Sequence, residues 1–67
     1  MQTYIIDFPQ SLSKEEKTLL NDSLKKLINN YFLYMKSFKL TNTNLVLCCE
    51  ENIYNYIHNI LNFLNII

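Results

Sequence analysis

The sequence predicts a single small α+β domain with the element order β-α-β-β-α. A chain of 67 residues can build only one hydrophobic core. It is 49% apolar and has nine aromatic residues, which favours a folded chain over a disordered one. The hydrophobic period alternates between two and about 3.6 residues along the chain, as it does where strands and helices alternate. We therefore expect a three-stranded, mainly antiparallel sheet with two helices on one face.

The first strand is predicted from Gln2 to Phe8, where apolar residues alternate between two faces. Tyr4, Ile6 and Phe8 share one face, and Ile5 lies on the other. Pro9 cannot donate to a sheet ladder and favours extended geometry at Phe8, so the strand should end there.

The first helix is predicted to begin at Lys14, because Ser13 and Glu16 have the spacing of a capping box. Its end is placed near Tyr34. The helix has one apolar stripe with the expected spacing, which consists of Leu20, Leu24, Leu27, Ile28, Tyr31, Tyr34 and Met35.

Two further strands follow, from Phe38 to Thr41 and from Leu45 to Cys49. The intervening Thr41–Asn44 segment has turn-forming residues, which indicates a β-hairpin. The uninterrupted apolar run of the third strand predicts that it is buried on both sides. One long bent strand is the alternative interpretation.

The second helix is predicted from Glu50, with two carboxylates in its first turn. The centre of its apolar face comprises Ile53, Ile57, Ile60, Leu61 and Leu64. Tyr54, Tyr56 and Phe63 widen that face to about half of the circumference, beyond the stripe of about 100° that a surface helix needs.

The right-handed crossover rule places strand 3 between strands 1 and 2, with both helices on one face. Both outer strands are then sheet edges. The topology resembles a ferredoxin-type split β-α-β unit without its last strand, a resemblance of element order and not of specific residues.

Composition restricts the class of protein only weakly. Six lysines balance six carboxylates, without the basic excess of most nucleic-acid binders. The chain has ten asparagines but no glycine, alanine or arginine, which indicates an AT-rich genome. We expect an intracellular, soluble protein of the cytoplasm or an organelle matrix, because neither a signal peptide nor a disulfide framework is visible.

Cys48, Cys49 and His58 are the candidates for chemistry, and the sequence argues against each. Glu50 and Glu51 oppose thiolate formation at the cysteines, and the three residues have no standard metal-ligand spacing. His58 has no orienting carboxylate or nucleophile assigned to it. We therefore expect no catalytic site, no metal and no cofactor.

Two binding functions remain. The preferred hypothesis is a protein–protein interaction module: a homodimer, or a small subunit or regulator of a larger protein. Its interface would use the open sheet face, an edge strand or the surplus face of helix 2. The candidate residues are Ile5, Val46, Cys48, Tyr54, Tyr56, Phe63 and Ile66. The alternative is nucleic-acid binding through Lys25, Lys26, Lys36 and Lys39, although Tyr31 and Tyr34 are expected in the core.

A loosely covered monomer is the third possibility. A membrane-surface role for helix 2 is disfavoured because its polar face holds asparagines.

Overall fold

The computed structural model describes residues 1–67 and confirms the predicted order of elements. Its elements are β1 (Gln2–Asp7), α1 (Lys14–Asn30), β2 (Met35–Leu40), β3 (Asn44–Cys49) and α2 (Glu51–Phe63). The three strands form one sheet in the order β1-β3-β2, with every pair antiparallel. The protein is therefore an α+β domain with β3 at the centre of its sheet.

The sheet register fixes the direction of both helices. β1 pairs with β3 from Gln2↔Cys49 to Asp7↔Asn44, and β2 pairs with β3 on the other side, with an irregularity between Met35 and Ser37. Because β1 and β2 are each antiparallel to β3, they are parallel to each other and α1 connects them. α2 follows β3 and returns antiparallel to α1.

A single apolar core lies between the sheet and the helices. All of its buried residues are hydrophobic, and β3 supplies three that have no exposed surface, Leu45, Leu47 and Cys49. Val46 and Cys48, on the opposite face of β3, are only half-buried. The third strand is thus central as predicted, but the expectation that it is buried on both sides is wrong, because no element covers the second face.

The capping box of α1 is present with both of its hydrogen bonds. The Glu16 backbone N–H donates to Ser13 Oγ (3.1 Å), and the Ser13 backbone N–H donates to Glu16 Oε1 (2.9 Å). These bonds satisfy two backbone donors that the first turn leaves unpaired.

The predicted end of α1 is wrong by about one turn. The helix ends at Asn30, and backbone N–H groups of Tyr34 and Met35 both donate to the Tyr31 carbonyl in a tight turn. Met35 then enters β2 opposite Cys49 and is almost fully buried. Tyr31, Tyr34 and Met35 continue the helical spacing of α1, but they are not helical, because Met35 pairs with β3 in the sheet.

The β2–β3 hairpin is confirmed, and Thr41 organises its turn. Thr41 Oγ1 accepts the backbone N–H of Asn44 (3.0 Å) and donates to Asn44 Oδ1 (2.8 Å). The turn also holds the chain after β1, since Phe8 N–H donates to the Thr43 carbonyl (2.9 Å) and Leu12 N–H donates to the Asn42 carbonyl (2.8 Å).

The last residues fold back against the core because α2 ends in a Schellman-type cap. Asn65 adopts the left-handed conformation (φ 60°) in a chain that has no glycine. The Ile66 N–H donates to the Leu61 carbonyl (2.9 Å) and the Asn65 N–H donates to the Asn62 carbonyl (3.1 Å). Ile66 consequently packs beside Leu61.

We expect Ser13→Ala to lower the free energy of unfolding by about 1 kcal/mol, because it removes one side of the capping box. Ser11→Ala is the matched control, since Ser11 is exposed and lies outside the helix. Urea unfolding followed by circular dichroism at 222 nm measures both. Equal stabilities of the two variants would contradict the prediction.

Candidate interaction surface

The two helices lie on the same face of the sheet and leave an open groove between them. This interhelical groove has a volume of about 630 Å³. Most of its lining is hydrophobic. Its principal residues are Leu19 and Leu27 from α1 with Tyr31 at its C-cap, and Tyr56 and Ile60 from α2 with Leu64 at its C-cap.

The α2 side of the groove includes residues from the centre of the predicted apolar face of helix 2. Ile53, Ile57 and Leu61 are buried at four-residue spacing. Ile60 and Leu64 lie on the neighbouring stripe and are exposed, Leu64 to 54%. The predicted apolar face is therefore only partly buried, because only the stripe through Ile57 faces the sheet.

The α1 side of the groove has an apolar residue that the sequence analysis missed. Leu19 is 69% exposed beside the buried Leu20. Its position just outside the predicted apolar stripe was the only signal available. The charged side chains that line the groove are Glu16 and Lys26, both on α1.

The predicted helix-2 interface residues divide into two groups. Tyr56 and Ile66 line the groove, and Phe63 is 86% exposed at the end of α2. Tyr54 instead turns toward the sheet, where its ring stacks on Tyr4 with centroids 4.2 Å apart. Tyr54 therefore has an internal packing partner.

The open sheet face brings together the other predicted interface residues. Ile5 is 63% exposed and lies directly opposite Val46, and Cys48 follows on the same face of β3. Lys39 flanks Val46 on the far side, and Ser37 flanks Cys48. The apolar patch on this face is therefore small and has polar neighbours.

The four lysines of the nucleic-acid hypothesis are exposed but lie on two elements. Lys25 and Lys26 belong to α1, whereas Lys36 and Lys39 belong to β2. The turn between these elements exposes four consecutive large side chains, which are Tyr31, Phe32, Leu33 and Tyr34. The expectation that Tyr31 and Tyr34 belong to the core is wrong, because α1 ends before them.

Neither cysteine has the environment of an activated nucleophile. Cys49 is fully buried, and its burial together with the adjacent Cys48 thiol raises the pKa of Cys49 above its ordinary value. The thiol therefore stays protonated at neutral pH. Desolvation and the Glu51 carboxylate likewise raise the pKa of the Tyr4 hydroxyl.

The remaining candidates form no recognisable centre. His58 is half-buried, and its ring is tilted against that of Tyr54 at a centroid distance of 5.8 Å. No group of three or more His, Cys, Asp or Glu side chains is placed to bind one metal ion. No helix combines the length and apolarity needed to cross a bilayer.

Comparisons with protein-family models, curated proteins and solved structures give no match to this chain.

We expect the Cys49 thiol in a Cys48→Ser variant to react with a thiol reagent at pH 7 at least about a hundredfold more slowly than in denaturant, because reaction requires local opening. Cys49→Ser, which leaves the half-buried Cys48, is the control and should react faster. The raised pKa values of Cys49 and Tyr4 mean that these groups lose their protons at higher pH in the folded state than in the unfolded state. The free energy of unfolding should therefore decrease above about pH 8.5. Rapid labelling of folded Cys49 would contradict this account.

Proposed function

We propose that this protein is a small non-catalytic protein–protein interaction module and that the interhelical groove is its main binding surface. The observation that carries the proposal is the cluster of exposed apolar side chains along the groove, Leu19, Tyr56, Ile60 and Leu64. Contiguous apolar surface of this kind, next to polar residues such as Glu16 and Lys26, is typical of protein contacts.

The small size of the core also supports this proposal. A domain of 67 residues is usually stabilised by disulfides, a metal or a partner. Here both cysteines are free and adjacent in sequence, and no cluster of metal ligands is present. Association with a protein surface would add to the stability that the core provides, and it would bury the groove.

Site-specific photo-crosslinking in the cells that encode the protein tests this function. We expect a benzophenone side chain at position 56 to form covalent protein adducts, because Tyr56 lines the groove and tolerates an aromatic replacement. Position 55 is the matched control, since Asn55 is exposed on α2 but does not line the groove. Position 5 reports on the open sheet face.

Adducts at 56 and not at 55 would support the groove as the binding surface. Adducts at 5 alone would transfer the function to the patch of Ile5, Val46 and Cys48. The absence of protein adducts at both 56 and 5 would contradict an interaction module.

One observation favours a second candidate function, the binding of single-stranded nucleic acid. Tyr31 and Tyr34 are about half exposed rather than buried, and the exposed Lys36 follows them closely in sequence. Exposed aromatic rings beside lysines offer stacking surfaces and phosphate contacts. The zero net charge of the chain makes this the weaker proposal.

For this second function we expect fluorescence anisotropy to detect binding of a labelled oligonucleotide at about 50 mM salt and a steep loss of affinity by about 200 mM. A Lys36→Glu/Lys39→Glu variant should bind more weakly, with Lys14→Glu/Lys17→Glu as the charge-matched control. No binding at the lower salt concentration would exclude this function.

A further inference from the structure

We infer that the partner in the interhelical groove is a second copy of this chain, related by a two-fold axis that brings the two helical faces together with their α1 helices antiparallel. This inference rests on the proposed function and specifies its partner. It follows from the area of the exposed apolar surface and from the arrangement of charges along the groove.

The exposed apolar area matches what a two-fold dimer requires. Tyr31, Tyr56 and Phe63 are each about half exposed or more, and a fully buried aromatic side chain covers about 150–250 Å². With Leu19, Ile60 and Leu64 included, these six residues expose about 500 Å² of apolar side-chain surface per copy, and Phe63 adds to it from outside the groove lining. Two copies would bury about 1,000 Å², the apolar share of an interface of about 1,600 Å², which is the standard size.

The shape of the helical face is also compatible with self-association. Of the residues that line the groove, Leu19 is exposed, Leu27 is half-buried and Ile57 is buried. In a two-fold interface each surface contacts its own copy, and the antiparallel orientation places α1 of one copy against α1 of the other. The product is a four-layer arrangement with the two sheets outside and four helices between them.

The charges of the groove favour the antiparallel orientation. Glu16 and Lys26 both line the groove on α1, and ten residues of helix separate them by about 15 Å. A two-fold axis perpendicular to α1 places Glu16 of one copy near Lys26 of the other, twice per dimer. A parallel arrangement would bring like charges together, which is destabilising. The net charge of zero leaves no overall repulsion between copies.

The first experiment measures the mass of the purified chain by sedimentation equilibrium over a dilution series. We expect a reversible dimer whose dissociation constant rises about thirtyfold or more in Ile60→Glu, since a buried contact is replaced by a charge in both copies. Ile5→Glu is the matched control, because it makes the same change at an exposed isoleucine on the opposite face of the sheet. Far-UV circular dichroism verifies that both variants are folded.

The second experiment tests the orientation by charge reversal. Glu16→Lys and Lys26→Glu should each weaken the homodimer about tenfold, because each creates two like-charged contacts. An equimolar mixture of the two variants should restore the dimer, because both contacts then join opposite charges. Glu15→Lys and Lys25→Glu are the controls, since these exposed residues lie on α1 but outside the groove lining.

Restoration of the dimer in the mixture would also exclude loss of the α1 cap as the cause of weakening in Glu16→Lys. The inference would be overturned if the wild-type chain is a monomer at every concentration. It would also be overturned if Ile5→Glu disrupts the dimer and Ile60→Glu does not. The proposed function would survive that result if position 56 still crosslinks to a different protein, and it would fail as well if neither position 56 nor position 5 gives an adduct.

Discussion

The structure depends on the burial of one face of β3. Leu45, Leu47 and Cys49 have no exposed surface and belong to the hydrophobic core. Because β3 pairs with both β1 and β2, this strand also holds every backbone ladder of the sheet. Without a disulfide or a cluster of metal ligands, packing around this strand supplies the stability that a 67-residue domain needs.

The width of the sheet explains why the helices leave a groove. Strands are about 4.8 Å apart, so three strands form a surface about 14 Å wide. Two helices packed side by side need about 20 Å, because each has a diameter of about 10 Å with its side chains. The sheet can therefore bury only a narrow stripe of each helix, which is the stripe through Leu20 and Leu24 on α1 and through Ile57 on α2. Other apolar residues of the two helices, such as Leu19, Tyr56 and Ile60, line the groove.

Local patterns were enough to predict most of the fold, because each element has its own signal. The capping box located the start of α1, the Thr41–Asn44 turn located the hairpin, and the change of period located α2. The predictions from sequence were wrong where one local pattern fits two structures and tertiary contacts decide between them. Met35 continues the helical spacing of α1, yet its pairing with Cys49 places it in β2. Leu19, Ile60 and Leu64 have the composition of core residues, and only the spacing between the helices determines that they are exposed.

The same geometry explains why the groove is a better candidate surface than the open sheet face. On the sheet, the pleat places polar residues such as Ser37 and Lys39 directly beside Val46 and Cys48, so the apolar area is interrupted. The helical face instead has a mostly hydrophobic lining, with Leu19 on one side of the groove and Tyr56 and Ile60 on the other. A second helical layer would complete the burial that a three-stranded sheet is too narrow to provide. Association through this face, as proposed, would satisfy the same constraint that forms the core, which is the need of each helix to cover its full apolar stripe.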